Sequence, residues 1–542
     1  MEQEQNIESK YQALLEELDA VQKERNAFLE ERKTFLQKVA DLEASRAELQ
    51  NRVQQLLRQL YGKKTERIVA ESSSQPYLPG MEPPAPEAKA PEKKTHVGAH
   101  ERAARKGQPA AGWNEFPEEL PREEVTLDVP ESERKGLVKM GEQVSQRLMR
   151  RSSYYVKVIR RLLYGEPGCA GTGIVAAKSL PVPSCLAPDS DRCHYDASVV
   201  AHVIAAKIVD HIPFYRQEQG FLRMKIRYGR ATMSEQVARV SRALALLHRR
   251  MCQIVLECPV LHADETHVTM LDPEAGRGKA RTCWIWARRT GVGPPLTVFH
   301  FSRDRSGETA RNLLGDYKGT IIRDAYAGYS TLQAEVAACW AHVRRKFFEA
   351  REGAGGESAR RALDIIRSLY HAEGLAKEKA AEEVRRKAPE KEEKAFEDAL
   401  FAERRKIRRH SASQADDFFA LCRSIQGKYP PKSPAAAAAA HALGREKELR
   451  RFLADPRLNI DNNPCENVIR PFCIGRKNWL FVGSPDGGVS LAVLAGFAAT
   501  CKENAVDFEK WLLDVMERLD TTPAEDIDCL LPHLWKKDQE KT

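Results

Sequence analysis

Apolar positions in the first part of the chain recur with a seven-residue period. Over residues 7–60 one stripe repeats every seven residues, and a second stripe, which includes three arginines, follows four residues after each position of the first. The first stripe is Ile7, Leu14, Val21, Phe28, Phe35, Leu42, Leu49 and Leu56. This heptad predicts a coiled coil over residues 1–67 that joins copies of the chain into a homodimer or higher oligomer. The alternative is one amphipathic helix packed against the protein's own body.

The pattern changes twice after the heptads. Residues 68–113 are rich in Ser, Pro, Ala and Lys and predict a flexible linker. Turn residues then separate short β-like runs over 114–190, which predicts a small β module. Residues 191–252 have helical periodicity: two helices, a short turn and a third helix with Thr232 and Glu235 as a capping box. This order is typical of a helix-turn-helix DNA-binding segment and equally of a plain helical bundle.

Strand-like periodicity appears between residues 255 and 345. The runs VLHADETHVTML, RTCWIWARRT, LTVFHFSRDR and GTIIRDAY have strand length and composition, and SGETARNLLGDY between the last two looks helical. They predict a mixed α/β core. The sequence from about 350 to 455 is helical and highly charged, and further helices follow it. The expected fold is therefore multidomain α+β.

Composition narrows the class of protein. A chain of 542 residues exceeds what one core usually supports, and a net charge of +9 suits a protein that tolerates a polyanion. The first ten residues carry no signal-peptide features and no apolar run has the length of a membrane span, so we expect a cytoplasmic protein with no membrane partner. Twelve cysteines without a C-x-x-C pair are expected to be reduced and buried.

Two aspartates interrupt the apolar strand-like runs. Asp264 lies inside the first run, and Asp324 follows Ile321 and Ile322 at the end of the fourth. A carboxylate at such a position is costly to bury unless it is paired or binds a metal. Two of them on neighbouring strands would provide oxygen ligands for a hard divalent cation. The alternative is that each aspartate caps a strand end or pairs with an arginine such as Arg323.

A third acidic ligand would come from the stretch IDNNPCENVIRPF. Glu466 is the candidate, because an acid in the first turn of a helix projects from a fixed backbone, and Asp461 is the competing choice. The same stretch also has the pattern of an ordinary helix start. In that interpretation Asn463 is the N-cap, Pro464 the first helical residue and Glu466 the capping-box partner.

Several blocks of the chain resemble the bacterial insertion-sequence-66 family of DDE transposases. The blocks are QLYGKKTER, VDHIPFYRQEQ, LHADETHV, IIRDAYAGY with CWAHVRRKFFEA, NIDNNPCENVIRPFCIGRKNWLFVGS and DCLLPHLW. They occur in the family's order over nearly the whole chain. The resemblance implies a ribonuclease-H-like catalytic core formed by residues 253–349 and 456–500, with a helical insertion at 350–455 and a helical tail at 501–542.

The resemblance also implies a chemistry. The catalytic, metal-binding acids would be Asp264, Asp324 and Glu466, which would hold two Mg²⁺ or Mn²⁺ ions roughly 3.5–4 Å apart. Water would free a 3′-OH at the transposon end, and that hydroxyl would attack target DNA. The implied partners are double-stranded DNA, a second copy of the chain and accessory transposition proteins, at the bacterial nucleoid. The rival interpretations are a catalytically inactive DNA-binding derivative and a structure-specific DNA nuclease.

Cationic and aromatic residues near the presumed site are predicted to contact DNA. They are His342, Arg344, Arg345, Lys346, Arg470, Arg476, Lys477 and Trp479. Cationic groups suit phosphates, and Trp479 would stack on an unpaired base. The alternatives are a solvated surface charge for each arginine and core packing for Trp479 or Trp340.

The β module departs from the family's pattern. Members usually carry a cysteine-rich zinc-binding module here, but this chain keeps Cys169 alone of the expected cysteines. Cys185, Cys193 and His194 would complete four ligands, but with a spacing that matches no ordinary zinc knuckle. We therefore expect a degenerate module that folds by apolar packing without zinc. Asn467 is a smaller departure, because the family usually has arginine after the glutamate.

Overall fold

The computed structural model describes residues 116–539 with short gaps, together with scattered helical residues between 22 and 45. The gaps are residues 117, 119, 135–137, 151–152, 166–174, 187–192, 273–278, 325, 330–331, 353 and 388–392. The chain divides into two units at residue 116, and the fold described below is that of the larger unit, residues 116–542. The predicted linker lies outside the described residues, as does most of the predicted coiled coil, so both stay predictions.

A four-stranded mixed sheet begins the larger unit. Its strands are β1 (Arg122–Leu127), β2 (Val138–Arg150), β3 (Tyr154–Gly165) and β4 (Val175–Ala176), with a one-turn helix α1 (Glu131–Arg134) after β1. The central strand β3 pairs parallel with β1 and antiparallel with β2 and β4. Cys185 and Cys193 are buried in an apolar cluster that includes Leu148 and Val156. Cys169 lies outside the described residues, so the loss of zinc from this module stays a prediction.

Four helices connect this sheet to the next. They are α2 (Ala197–Ile208), α3 (Phe214–Arg223), α4 (Arg230–Ala243) and α5 (Ala245–Glu257). The sequence predicts the last two as a single helix, but the chain breaks at Leu244. The predicted capping box is wrong: Gly229 is the N-cap of α4, so Thr232 already lies inside the helix.

The second sheet has five strands in the order β7-β6-β5-β8-β9. The strands are β5 (Val260–Leu271), β6 (Ala280–Thr290), β7 (Thr297–Ser302), β8 (Thr320–Arg323) and β9 (Glu335–Ala338), with helix α6 (Gly307–Leu314) between β7 and β8. The pairs β5/β6 and β6/β7 are antiparallel, whereas β5/β8 and β8/β9 are parallel. The four predicted strand runs and the predicted helix all form, and the prediction missed β9.

The rest of the chain is helical. The helices are α7 (Trp340–Ala350), α8 (Gly356–Lys387), α9 (Glu393–Lys428), α10 (Pro434–Leu443), α11 (Glu446–Ala454), α12 (Asn463–Trp479), α13 (Pro485–Glu503), α14 (Phe508–Arg518) and α15 (Pro532–Gln539), with 3-10 turns at Ala327–Tyr329 and Ala524–Leu530. Within the described residues, none of the helices combines the length and apolarity needed to cross a membrane. The helices from α7 to α11 share one apolar cluster with Val260 and Ile322 of the sheet, so the predicted insertion packs directly on the core.

Three charged side chains are buried between the two long helices of the insertion. Glu373 of α8 is 7% exposed, and Arg404 and Arg408 of α9 are each 2% exposed. Arg408 donates Nε and Nη2 to the two carboxylate oxygens of Glu373, at 2.6 and 2.9 Å. Burial alone would raise the pKa of Glu373, but the two arginines hold that pKa below its usual value. The cluster is a buried ion pair with an extra cation.

The same arginines bind the exit segment, residues 455–462, which leads from the insertion back to the sheet. Arg408 donates to the backbone carbonyl of Asp455 at 2.8 Å, and Arg404 donates to Asn459 Oδ1 at 2.8 Å. Each guanidinium group contacts both Glu373 and the exit segment. The position of the exit segment therefore depends on the insertion helices.

We predict that Arg408→Ala lowers the free energy of unfolding by about 3–5 kcal/mol, because it leaves Glu373 buried with only part of its charge compensation. Urea unfolding followed by circular dichroism measures this change. The matched control is Arg367→Ala, whose pair with Asp364 is exposed on both sides, at 78% and 62%, and for which we expect a change within about 0.5 kcal/mol. Equal effects of the two substitutions would contradict the structural role of the buried cluster.

Candidate active site

Two parallel strands bring Asp264 and Asp324 to the same level of the sheet. β8 pairs with the central strand β5 in a register that matches His262 with Ile322. Two residues further along, this register sets Asp264 opposite Asp324, which directly follows β8. Neighbouring strands lie about 4.8 Å apart, and opposite positions point to the same face. The two predicted aspartates therefore lie side by side at one end of the parallel strand pair.

Asp264 carries an unfavourable electrostatic environment. Burial raises the pKa of its carboxyl to about 7, and the charges of Glu265, Asp324 and Glu466 add to the shift, against one hydrogen bond from the backbone N–H of Glu265. All three predicted acids are therefore close enough to interact. Among the ion pairs of the described residues, none joins a lysine or arginine to Asp264 or Asp324.

Arg323, the residue before the second aspartate, donates elsewhere. Its Nη1 donates to the backbone carbonyls of Asp324 and Tyr326, each at 2.9 Å. The Asp324 carboxylate instead accepts the backbone N–H of Tyr326 at 2.9 Å. Arg323 therefore forms no ion pair with this carboxylate, although the charges of the two residues interact.

Glu466 lies in the first turn of α12, but this helix start differs from the predicted one. Asn462 is the N-cap and makes no side-chain capping bond, so Asn463 is already helical and the predicted capping box is wrong. The carboxylate of Asp461 accepts the backbone N–H and the side-chain Nδ2 of Asn463, at 3.1 and 2.7 Å. Asp461 thus stabilises the helix start, whereas Glu466 Oε1 is buried without a hydrogen-bond partner.

A buried histidine joins this helix start to the strand of the first aspartate. Asn462 Nδ2 donates to the backbone carbonyl of Ala263 at 2.9 Å, and Asn462 Oδ1 lies 2.9 Å from His262 Nδ1. Asn459 Nδ2 lies 3.1 Å from His262 Nε2. Burial lowers the pKa of His262 to about 3, so the ring is neutral, donates from Nδ1 and accepts at Nε2. Every polar atom of this contact has a partner, which fixes the start of α12 against β5.

A second network, which the sequence did not reveal, lies on the opposite side of β5. The Glu265 carboxylate accepts Nε of Arg305 at 2.7 Å and the hydroxyl of Tyr329 at 3.0 Å. The Arg305 guanidinium lies 3.8 Å from the ring centre of Tyr326, the residue whose N–H binds Asp324. Because adjacent side chains on a strand point to opposite faces, the sequence predicts that Asp264 and Glu265 lie in different environments. No local sequence pattern predicts that Glu265 pairs with Arg305.

The basic residues predicted on α7 lie beside Glu466. His342 Nδ1 is 3.9 Å from Glu466 Oε1. Arg345 and Lys346 are exposed and follow His342 by three and four residues, so they lie on the same side of the helix. Arg344 is half-buried. A cationic surface therefore continues from the third acid along α7.

A second cationic line runs along α12. Arg470 and Lys477 are exposed and follow Glu466 by four and eleven residues. At 3.6 residues per turn both lie within about 40° of Glu466 around the axis, and the line is about 16 Å long. Arg476 is half-buried and donates to the backbone carbonyl of His267.

The two tryptophans are core residues. Trp479 is 8% exposed, and the Lys207 ammonium lies 5.4 Å from its ring centre. Trp340 is fully buried and donates Nε1 to the backbone carbonyl of Leu449 at 2.9 Å. In this structure Trp479 presents no open face to a base, and the core-packing alternative describes both residues.

The acids of the site fit a hard divalent cation. Carboxylate oxygens are the ligands that Mg²⁺ and Mn²⁺ prefer. A cation would also relieve the repulsion and desolvation that raise the pKa of Asp264, for which no basic side chain in the described part of the chain compensates. Asp264, Asp324 and Glu466 are therefore the residues that would hold such ions.

We predict that Asp264→Asn increases the free energy of unfolding of the metal-free protein at pH 8 by about 1–3 kcal/mol, because each unit of raised pKa costs about 1.4 kcal/mol. The amide keeps the shape of the carboxyl but removes its charge. Urea unfolding in EDTA checks this, with Asp316→Asn as an exposed control that should change little. A loss of stability in Asp264→Asn would show that favourable contacts hold the carboxylate.

Comparisons with known proteins identify the family of the chain. The family model described as "Transposase IS66 family" matches residues 192–490. The models "IS66 C-terminal element" and "Transposase C of IS166 homeodomain" match residues 497–533 and 48–125. The uncharacterized protein y4qI of Sinorhizobium fredii is 31% identical over 457 residues, 81% of this chain and 79% of the relative. The uncharacterized protein y4hP of the same organism is 26% identical over 444 residues, 78% of this chain and 76% of the relative.

The first match covers more than half of the chain and confirms the resemblance inferred from the sequence. A DDE transposase domain implies a ribonuclease-H-like core, which here corresponds to the five-stranded mixed sheet. With its leucine-zipper and C-terminal elements, the chain belongs to the IS66 family of DDE transposases.

Proposed function

We propose that the protein is a DNA transposase that hydrolyses a phosphodiester at each transposon end and then transfers the freed 3′-OH into target DNA. One observation carries the proposal. Asp264 on β5 and Asp324 directly after β8 lie at the same level of the parallel strand pair, the charge of Glu466 acts on Asp264, and among the described residues no lysine or arginine forms an ion pair with either aspartate. Such a cluster of carboxylates is typical of a binding site for divalent cations.

The three acids would hold the ions, and the DNA strands would supply the reacting oxygens. When bound, two divalent ions activate an attacking oxygen and stabilise a leaving one. In the first reaction a bond forms between a water oxygen and phosphorus, and the bond from phosphorus to the 3′-oxygen of the transposon strand breaks. In the second, that 3′-oxygen bonds to a target phosphorus, whose own 3′-oxygen leaves. The chain's part is to fix the acids and the DNA.

The exposed cations would position the DNA backbone. Arg470 and Lys477 follow Glu466 along one face of α12, and Arg345 and Lys346 extend the cationic surface along α7. Guanidinium and ammonium groups at such positions bind phosphates without reading sequence. Two lines of cations that begin at the third acid would guide a strand toward the carboxylates.

Arg305 would act as a positioning residue. Its guanidinium contacts Glu265, which follows the first aspartate, and Tyr326, whose N–H binds the second aspartate. Through these contacts Arg305 would hold the backbone next to Asp264 in a fixed position relative to the backbone next to Asp324. Its role would be to keep the two carboxylates at the spacing that the ions require.

Asp264→Asn and Asp324→Asn should each abolish strand cleavage and strand transfer while preserving DNA binding, because each removes a charged metal ligand. The assay incubates a supercoiled donor plasmid carrying the transposon ends with the full-length protein and Mg²⁺ or Mn²⁺, and scores end-specific nicks and joined products. Asp316→Asn, which removes an exposed carboxylate from the loop before β8, is the matched control.

Each rival function predicts a different result in this assay. Binding of the ends with neither nicks nor joined products from the unmodified protein would favour an inactive DNA-binding derivative. Cleavage without any joined product, with branched DNA preferred, would favour a structure-specific nuclease.

Arg305→Gln should raise the Mg²⁺ concentration needed for half-maximal cleavage by about tenfold or more, because outer-shell contacts set the geometry of the metal ligands. Titration of Mg²⁺ at saturating DNA measures the change. Arg303→Gln, two residues earlier, is the control. An unchanged Mg²⁺ requirement in Arg305→Gln would contradict a positioning role.

A further inference from the structure

Three different ligand types meet at the start of α7. Cys339 is the N-cap of α7, His342 lies in its first turn, and Glu466 lies in the first turn of α12. One potential ligand atom from each residue lies within 4.8 Å of those of the other two. Among the described residues, no other group of three His, Cys, Asp or Glu side chains is this closely spaced. The group contains a sulfur, a nitrogen and an oxygen atom, unlike the all-oxygen set of the three acids.

Two of the three ligand atoms have no partner. His342 Nδ1 and Glu466 Oε1 are both excluded from solvent and make no hydrogen bond. The 3.9 Å between them is within reach of an ion pair but too long for a hydrogen bond. Buried polar atoms without partners are costly and rare. An ion between them would satisfy both atoms at once.

The spacing of the three atoms suits a small cation. With bonds of about 2.0–2.3 Å to nitrogen, oxygen and sulfur, the ligands of a tetrahedral ion lie about 3.4–3.8 Å apart. The observed separations need to close by only about 1 Å to reach that range. Spacing of three residues places Cys339 and His342 on one side of a single helical turn, so small side-chain movements suffice.

The surroundings of the thiol suit a metal-bound sulfur. The backbone N–H of Asn462 donates to Cys339 Sγ at 3.2 Å, and Asn462 is itself held by Ala263 and His262. A backbone N–H aimed at sulfur stabilises a thiolate, and such outer contacts orient metal ligands. Burial raises the pKa of the metal-free Cys339 thiol to about 12, so an ion would have to displace its proton.

We propose that Cys339, His342 and Glu466 form a binding site for a Zn²⁺-class ion, and that its occupation inhibits the transposase. Sulfur and imidazole ligands select zinc-like ions over Mg²⁺. The inhibitory part rests on the proposed function, because Glu466 belongs to both sites and a carboxylate bound to a Zn²⁺-class ion is no longer available as a ligand for Mg²⁺ beside the two aspartates. The site is separate from the cysteine-poor β module near the N-terminus.

Cobalt absorption tests the site without reference to activity. The full-length protein is stripped of metal, supplied with excess Mg²⁺ and titrated with Co²⁺, which gives thiolate charge-transfer and tetrahedral d–d bands when sulfur is a ligand. We expect these bands to appear at one equivalent of Co²⁺ and to be lost in Cys339→Ser. In His342→Gln we expect Co²⁺ to bind at least about 10- to 100-fold more weakly, since changes of even outer-shell residues have effects of that size. Cys473→Ser, on the same helix as Glu466 and partly exposed, should behave like the unmodified protein.

Two spectroscopic results would overturn the site. One is the absence of thiolate bands at saturating Co²⁺, and the other is bands that persist in Cys339→Ser, which would place the ion at other cysteines. Because His342 is partly exposed, His342→Gln provides a second variant if Cys339→Ser does not fold.

Zinc inhibition tests the regulatory part. Cleavage at fixed Mg²⁺ is measured across a Zn²⁺ series, with each variant compared with its own zinc-free rate. Inhibition of the unmodified protein, and a shift of at least about tenfold to higher Zn²⁺ in Cys339→Ser, are expected. Active protein that binds Co²⁺ through Cys339 but is insensitive to Zn²⁺ would overturn the inhibition. Protein that never cleaves DNA would count against the proposed transposase instead, while the cobalt bands would still report the site.

Discussion

The contact between Asn462 and the strand of Asp264 determines where the third acid lies. The parallel register of β5 and β8 is sufficient to bring the two aspartates to the same level of the sheet. Glu466 follows a long helical insertion, and its helix is fixed by the bonds of Asn462 to Ala263 and His262. These bonds are buried and use all the polar atoms concerned, so the alternative positions of α12 would leave an amide or an imidazole unsatisfied.

The insertion contributes to the site through this contact. Arg404 and Arg408 hold the exit segment from the insertion side, and Asn459, which accepts from Arg404, also donates to His262. The buried charges of the insertion and the neutral histidine of the sheet are thus neighbours in one polar network. The network stabilises a site whose own acids repel one another, which is the usual relation between a functional centre and its scaffold.

The sequence was informative where the signal was local. Alternating apolar and β-branched residues predicted β5 to β8, and the two aspartates stood out because they interrupt those apolar runs. The strand β9, with the sequence EVAA, lacks the adjacent β-branched residues that marked the equally short β8. The start of α12 was misplaced because Asn462 uses its side chain on the sheet instead of capping the helix. Arg305 and Cys339 gain their importance from partners distant in sequence, which one chain's pattern does not reveal. The DNA contacts and the coiled coil remain predictions.

The position of Glu466 behind the insertion has a consequence for the order of synthesis. A ribosome makes both aspartates well before it makes the insertion, and Glu466 follows Asp324 by 142 residues. The exit segment is bound by Arg404 and Arg408 of α9, and Arg408 is also paired with Glu373 of α8. A nascent or truncated chain that ends inside the insertion therefore has two of the acids but not the third. The three candidate acids are present together only once synthesis has passed the insertion.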